Sequence, residues 1–252
     1  MKKTLFIALA IVSLASSCKK DQDPPVSDPK GTLQVNFTAS FNGQPMVLNT
    51  IYNSASNYRI KPETMKYLIH HFRLRDGSGN YCEVKDAAIV DYAGSSNSFS
   101  VQLSPGTFTG VRFGLGVDST MNLGDPNSLP ASHPFSTNMA NDLHWSWSTG
   151  YIFMKYEGRA DTSGTLAGNM DRTFFFHPGA NALYGEVGDL MIPISIVENQ
   201  TTSINVDLDV YKLLVGISDT IDVKTDNGTH TSDNYPLAER FIQLARAAFS
   251  VN

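Results

Sequence analysis

Both tryptophans of the chain stand beside a histidine, at the start of an aromatic-rich segment. His144 and Trp145 are followed by Trp147, and Tyr151 and Phe153 continue the aromatic series. Indole and phenol rings combine a large apolar body with one polar group, and imidazole is a common ligand of copper and zinc. The segment is therefore interpreted either as a core strand with many bulky aromatic side chains or as the wall of a metal or redox site.

His177 is a second candidate metal ligand. It directly precedes Pro178, and a residue before proline is restricted to extended backbone conformations. An imidazole that is already oriented loses less entropy on binding a metal ion. Copper is the expected metal, and thioethers such as those of Met139 or Met154 would add soft character suited to Cu(I). The alternative is a buried histidine whose hydrogen bonds only order a turn.

The remaining histidines divide between strands and loops. On an unbroken strand, the side chain of His144 faces away from those of Trp145 and Trp147. A shared site therefore needs a bulge, which Gly150 can supply. His70 lies on the apolar face of its strand and is either a core histidine or a further metal ligand. The others occur in polar or loop surroundings and are expected to be solvated: His71, His133 and His230.

The chain has little that indicates catalysis. It contains no GxSxG elbow, no phosphate-cradling glycine loop and no evident pair of nucleophile and base. HxxxH and CxxC spacings do not occur either, so zinc has no motif support. Asp118, Asn122 and Asp125 share one loop, but their spacing does not match a calcium-binding loop and predicts turn and capping roles. We expect a binding protein and not an enzyme.

The first residues predict export. Lys2 and Lys3 precede an apolar run, residues 5–15, that is too short to span a bilayer. The run leads to Cys18 through small residues, in a sequence that looks like a relaxed bacterial lipobox. Residues 1–17 are therefore interpreted as a lipoprotein signal peptide, and Cys18 is expected to carry acyl chains such as palmitate. The mature protein would be an extracytoplasmic, membrane-anchored lipoprotein.

The charged and proline-rich stretch after this cysteine, within residues 18–30, is interpreted as a flexible tether. Its start resembles that of Bacteroidetes outer-membrane lipoproteins, which leaves periplasmic and cell-surface placement both open. Loss of Lys2 and Lys3 leaves 17 of the 19 basic residues against 24 acidic ones, a net charge of 17 − 24 = −7. This charge does not favour a nucleic-acid partner. Cys82 is the remaining thiol and is predicted to be a buried or half-buried free cysteine.

Residues 31–252 have the pattern of one all-β domain. Apolar and polar residues alternate through residues 33–41, 67–74 and 204–210, and turn sequences rich in Gly, Pro and Asn separate such runs. This predicts an antiparallel β-sandwich. Only the end differs, where Pro236 is followed by apolar residues at helical spacing through Phe249. A short C-terminal α-helix that docks on the sandwich is therefore predicted.

Several segments in a fixed order resemble the MbnP-like proteins. The early strand is YLIHHFRL (67–74), and it is followed by FTGVRFGLGVDS (108–119), WSW (145–147), GYIF (150–153), EG (157–158) and FFFHPG (174–179). This resemblance extends over roughly residues 31–252 and implies a β-sandwich exported to the periplasm or the surface. His177 falls where the family pattern has histidine, and Trp145 and Trp147 occupy its tryptophan positions.

The resemblance also implies copper chemistry. Some relatives bind copper, and in a few of them a partner di-haem enzyme oxidises a tryptophan to kynurenine beside the histidines. The copper-binding relatives have a histidine two residues after the modified tryptophan, where this chain has Trp147. One hypothesis is thus a copper-binding lipoprotein in which His177, with His144 or His70, holds the metal next to a tryptophan. The alternative is a non-metal surface module for a glycan or a protein.

Overall fold

The computed structural model describes residues 28–54, 58–94, 97–140, 142–145 and 150–252. The signal segment, Cys18, most of the tether and Trp147 lie outside them. The elements in chain order are β1 (Gly31–Phe41), β2 (Gln44–Pro45), β3 (Tyr52–Asn53), β4 (Arg59–Arg75), β5 (Tyr81–Asp91), β6 (Ser98–Leu103), β7 (Gly106–Leu115), α1 (Ser119–Leu123), β8 (Met154–Asp161), β9 (Arg172–Phe176), β10 (Gly185–Ile196), β11 (Thr201–Asp209), β12 (Gly228–Thr229), α2 (Tyr235–Ala247) and β13 (Phe249–Val251).

The strands form two sheets. One has the order β13-β11-β1-β2, with β6 also on β1, and the other has the order β10-β7-β4-β8-β9-β12, with β3 and β5 also on β4. The predicted all-β sandwich with a short C-terminal helix is confirmed. Two pairs, β1 with β11 and β9 with β12, are parallel and not antiparallel. The alternation of apolar and polar residues shows which side chains face the core, but not whether the neighbouring strand runs parallel or antiparallel. The sequence therefore did not predict these pairs.

Aromatic rings join the two sheets at the centre of the sandwich. The Phe37 ring of β1 meets the rings of Tyr67, Phe72 and Phe113 edge to face, with centroid distances of 6.3, 6.5 and 6.3 Å. Edge-to-face contact is a favoured aromatic geometry, and each fully buried ring contributes about 1.5–3 kcal/mol. The alternating apolar face of β1 is thus the side that closes the core.

The aromatic segment that begins at His144 is not one continuous strand. Strand β8 starts only at Met154, whereas His144 and Tyr151 form an isolated antiparallel bridge. The N–H of Trp145 donates to the carbonyl of Gly150 at 3.1 Å, and Gly150 has a φ of +101°, a conformation that favours glycine. Strand alternation therefore does not govern which way His144 and Trp145 point.

Helix α2 packs on the second sheet. Asn234 caps its first turn, and Pro236 lies in the first helical positions as predicted. The helix ends at Ala247, two residues earlier than expected, because Asp209 donates its N–H to the Ala248 carbonyl at 3.1 Å and the chain enters β13. Within the described ranges, no helix has the length and apolar content to cross a bilayer.

Cys82 is exposed, contrary to the prediction of a buried or half-buried thiol. It lies in the first half of β5, which is mostly open to solvent, whereas Ala87, Ala88 and Val90 in the second half enter the core. The apolar character of a single residue does not reveal where along a strand burial begins.

Replacing Phe241 with alanine tests the docking of α2. Phe241 is fully buried and its ring stacks on Phe176 and Tyr156 at centroid distances of 4.6 and 6.1 Å. We expect Phe241→Ala to lower the free energy of unfolding by about 3–5 kcal/mol, through lost burial and a cavity, in urea titrations. The exposed Gln243→Ala is the control, with a change within about 0.5 kcal/mol. A loss under about 1 kcal/mol in Phe241→Ala would mean that the helix unfolds separately from the sandwich.

Candidate metal centre

The parallel pair β9–β12 brings two histidines side by side. Gly228 pairs with Phe175 and Thr229 with Phe176, so the same register continues to His177 and His230. The N–H of His177 donates to the Thr229 carbonyl at 2.9 Å, and the two imidazole centroids are 5.1 Å apart. His230 had been expected to be simply solvated, but its side chain is 40% exposed and contacts His177.

A short turn after β12 fixes His230. One carboxylate oxygen of Asp233 accepts the backbone N–H of His230 at 2.7 Å and the Thr229 hydroxyl at 3.1 Å. The other oxygen lies 3.2 Å from Nδ1 of His230. Burial raises the pKa of Asp233, but the hydrogen bonds from His230 and Thr229 outweigh it, and the pKa falls below its usual value. Asp233 is thus a charged partner for one ring nitrogen of His230.

Glu157 of β8 plays the corresponding role for His177. Its Oε1 lies 2.8 Å from Nε2 of His177. The hydrogen bond with His177 is the main cause that lowers the pKa of Glu157 to about 2. The His177 side chain is 8% exposed, so this carboxylate holds a nearly buried ring in one orientation.

Aromatic side chains surround the two imidazoles. The Trp145 indole is only 6% exposed, and its centroid is 6.4 Å from that of His177 and 6.3 Å from that of His230. The Phe175 ring lies 4.5 Å from the His230 ring. The His177 side chain in this aromatic environment is 8% exposed, whereas that of His230 is 40% exposed.

The residues after His177 allow the segment that carries Trp145 to lie close to the end of β9. The N–H of Phe153 donates to the Pro178 carbonyl at 2.7 Å, which ties the aromatic segment to the end of β9. A Cβ atom on Gly179 would lie 2.1 Å from the Tyr151 carbonyl oxygen, closer than real Cβ contacts. Glycine at this position therefore lets the chain after His177 lie against the segment that carries Trp145.

The partners of the two rings match those of metal ligands. A histidine that binds a metal through one nitrogen ordinarily gives the other to a carboxylate, a carbonyl or water. Glu157 engages Nε2 of His177 and Asp233 engages Nδ1 of His230. Nδ1 of His177 and Nε2 of His230 are the ring nitrogens opposite these carboxylates, and imidazole is a ligand that suits copper or zinc. We call this group the His177–His230 site.

Comparison with known proteins identifies the family. The family model described as MbnP matches residues 30–232. The chain belongs to the MbnP family. The solved structure of MbnP from Methylosinus trichosporium has 15% sequence identity and a TM-score of 0.57, covering 88% of this chain and 98% of that one, which shows a shared fold. A comparison with curated proteins gives no match. The resemblance to MbnP-like proteins is thus confirmed.

The residues predicted for the site of this MbnP-family chain do not all meet. His177 and Trp145 come together, whereas the His144 ring packs edge to face on Tyr151 at 5.1 Å. His70 belongs to a second cluster, described below. Of the thioethers, Met139 is 52% exposed and Met154 is fully buried in the core. Trp147 and Cys18 are outside the described residues, and their predicted roles stay predictions.

The second cluster consists of His70, His71 and Asp86, whose ligand atoms lie within 4.8 Å of one another and could hold a metal ion. Burial and the neighbouring His71 lower the pKa of His70. Burial also lowers the pKa of His71, but hydrogen bonds to Asp118 at 3.2 Å and Glu83 at 2.7 Å outweigh it, and the pKa is raised. His71 is therefore a half-buried partner of two carboxylates and not the solvated residue that the sequence predicted.

The loop with Asp118, Asn122 and Asp125 has the turn and capping roles predicted for it. Asp118 accepts the N–H of Met121 at 2.8 Å and begins α1. Asp125 caps the following turn, and the Asn122 side chain accepts the N–H of Tyr151 at 2.8 Å. The side-chain oxygens of these three residues thus accept hydrogen bonds from the protein backbone.

Replacing Glu157 with glutamine tests how it interacts with His177 in metal-free protein. Since the folded pKa of Glu157 is about 2, below its usual value of 4.5, its charge stabilises the fold above pH 4.5, and this contribution is lost as the pH falls towards 2. We expect Glu157→Gln to cost about 1 kcal/mol at neutral pH, a modest value because the side chain is 31% exposed. The difference should vanish near pH 2 in urea titrations.

Glu63 provides the control because it is equally exposed, at 31%, on the adjoining strand β4 and pairs with Lys61. Glu63→Gln should change the free energy of unfolding by less than about 0.5 kcal/mol. If both variants lose the same stability at neutral pH, the contact with His177 has no special role in the fold.

Proposed function

We propose that this MbnP-family protein binds a copper ion through His177 and His230, beside Trp145, and acts outside the cytoplasm. The observation that carries the proposal is the pairing of two imidazoles, 5.1 Å apart, each with one ring nitrogen on a carboxylate. Each carboxylate engages one ring nitrogen and orients the imidazole, as the partners of metal-bound histidines do.

The surroundings favour copper over zinc. Imidazole binds both metals, but copper is the tighter binder in the general order of divalent ions. A structural zinc site needs four ligands, whereas the described side chains beside His177 and His230 are the rings of Trp145 and Phe175 and the carboxylates of Glu157 and Asp233, each already on a ring nitrogen.

The donor set differs from that of the copper-binding relatives. Their histidine two residues after the tryptophan is replaced by Trp147 here. His230 supplies an imidazole from a different part of the chain, the turn after β12. We therefore propose a site with the two imidazoles of His177 and His230, and without His144 or His70.

Trp145 is the tryptophan that we propose as the substrate of a partner di-haem oxidase, with kynurenine as the product. Its indole lies next to both imidazoles, which supports this choice. Kynurenine at this position would add a ligand beside the histidines. Fragment-ion masses of the tryptic peptide 113–155, which carries both Trp145 and Trp147, test in protein from native cells whether Trp145 is the modified residue. An unmodified tryptophan throughout would remove the oxidase from the proposal and leave copper binding untouched.

We further propose that the protein is a lipoprotein, anchored in the outer membrane through acylated Cys18. The lipobox-like sequence and the charged tether support this placement. Binding, not catalysis, is the proposed role of the domain. The alternative of a glycan-binding surface has less support because Trp145 is only 6% exposed and does not offer a flat aromatic face to a sugar.

Copper content is the first test. Protein from native cells grown with ample copper, analysed for its elements, should hold about one copper ion per chain. His177→Ala and His230→Ala should each lower the affinity for Cu(I) at least about tenfold, in competition with a chromogenic chelator. Glu157→Gln should weaken binding by about 10-fold to 100-fold, because it removes the carboxylate that orients His177.

His144→Ala is the matched control. It removes an imidazole from the same aromatic segment, but one that packs on Tyr151. Copper affinity should stay within about twofold of the unchanged protein. Copper at background level in the unchanged protein would refute the proposal, and a loss confined to His144→Ala would place the ligands elsewhere.

A further inference from the structure

A bulge in β4 turns two consecutive histidines towards the same side of the sheet. His71 has a φ of +56°, which is uncommon for a residue other than glycine, and the pairing of β4 with β5 and β7 shifts register there. The His70 and His71 rings stack with centroids 3.7 Å apart, where regular alternation would separate them. Backbone strain of this kind is unfavourable and concentrates at functional sites.

Asp86 of β5 faces these rings at distances typical of shared metal ligands. Its Oδ1 is 3.5 Å from Nε2 of His70 and 3.9 Å from Nδ1 of His71. These separations are too long for good hydrogen bonds. Ligands of a tetrahedral ion with bonds of about 2.1 Å lie roughly 3.4 Å from one another, close to the values found here.

His133 adds a third imidazole from the loop that precedes the aromatic segment. Its Nε2 lies 3.6 Å from Oδ2 of Asp86, and its side chain is 20% exposed, although the sequence predicted a solvated residue. The N–H of Phe135 donates to Nδ1 of His133 at 3.1 Å, which turns Nε2 towards the carboxylate. The loop therefore holds this ring in place at the edge of the cluster.

His70 has the features of a buried ligand. The residue is 2% exposed, yet it lines a cavity of about 260 Å³ together with His71, Asp86 and Asp118. The N–H of Asp118 donates to Nδ1 of His70 at 3.2 Å, so Nε2 is the nitrogen turned towards Asp86.

We propose that His70, His71 and Asp86 form a second metal site for a divalent cation of the zinc type, in which Nδ1 of His71 gives up its hydrogen bond with Glu83 and His133 moves in as a fourth ligand. The site is separate from the His177–His230 site and does not depend on the proposed copper function. Its donors combine imidazoles with a carboxylate, and Glu83 and Asp118 add negative charge next to His71. Such a set suits a doubly charged ion better than Cu(I).

The two sites should differ in affinity. At His70 and His133 a backbone N–H occupies Nδ1, so the neutral ring carries its proton on Nε2. A cation that binds Nε2 must displace this proton and disturb the contact with the backbone. The carboxylate partners of His177 and His230 impose no such cost. We therefore expect weaker binding at the second site.

The test uses the full mature chain with His177→Ala and His230→Ala, so that the first site is removed, and Zn²⁺ alone as the probe. Equilibrium dialysis with elemental analysis should find about one zinc ion per chain. Asp86→Asn in this background should weaken zinc binding at least about tenfold, and His133→Ala about tenfold. Co²⁺ in place of zinc should give the visible absorption of a tetrahedral site, which the same substitutions abolish.

Controls separate this inference from effects on folding and from the copper proposal. The Asp86 side chain is 54% exposed, so Asp86→Asn should keep the thermal midpoint of the metal-free protein. Asp189→Asn, in a carboxylate of β10 that is 42% exposed, should leave zinc binding unchanged. In the chain with both sites intact, Asp86→Asn should not alter Cu(I) affinity. Zinc at background level, or zinc binding that Asp86→Asn does not weaken, overturns the second site, and full affinity in His133→Ala removes the fourth ligand.

Discussion

The backbone ladder of strand β4 is the constraint that positions the strands carrying the carboxylates of both histidine groups. Along one edge it pairs with β5, and along the other with β8 and then β7. Those neighbours supply Asp86 from β5, Glu157 from β8 and, just after β7, Asp118. Hydrogen-bonded strands lie about 4.8 Å apart, so the ladder sets how near each carboxylate comes to a histidine. A shift of one residue in the register of a neighbouring strand would turn its carboxylate to the opposite face of the sheet.

The two groups show how hydrogen-bond partners give similar side chains different chemistry. At the His177–His230 site, carboxylates take one nitrogen of each ring. In the second cluster, backbone N–H groups take one nitrogen of His70 and of His133, so the neutral rings carry their proton on Nε2, the nitrogen on the side of Asp86. The distance between the histidines does not distinguish the two groups. They differ in the partner of one ring nitrogen, which is a carboxylate acceptor in the first group and a backbone N–H donor in the second.

Apolar packing and polar chemistry meet at the end of β9. Phe174 and Phe176 are buried in the core, and Phe176 stacks on Phe241 of the C-terminal helix. Phe175 points the other way and contacts His230. Because the core fixes the alternate residues of this strand, the positions of Phe175 and His177 on its other side are fixed with them. The rigidity of the candidate metal site thus comes from the sandwich core.

The sequence by itself determined the class of fold and the docking of a terminal helix, and it singled out His177 and Trp145, whose rings the fold brings together, because burial patterns and turn residues act over short distances along the chain. It did not reveal His230 or His133 as neighbours of a site, since neither belongs to a recognisable local pattern. Only the parallel pairing of β9 with β12 brought His230 to His177, and only the bulge at His71 placed consecutive histidines on one side. Strand direction and bulges depend on contacts between distant segments, so the alternation of residues within a single strand does not predict them.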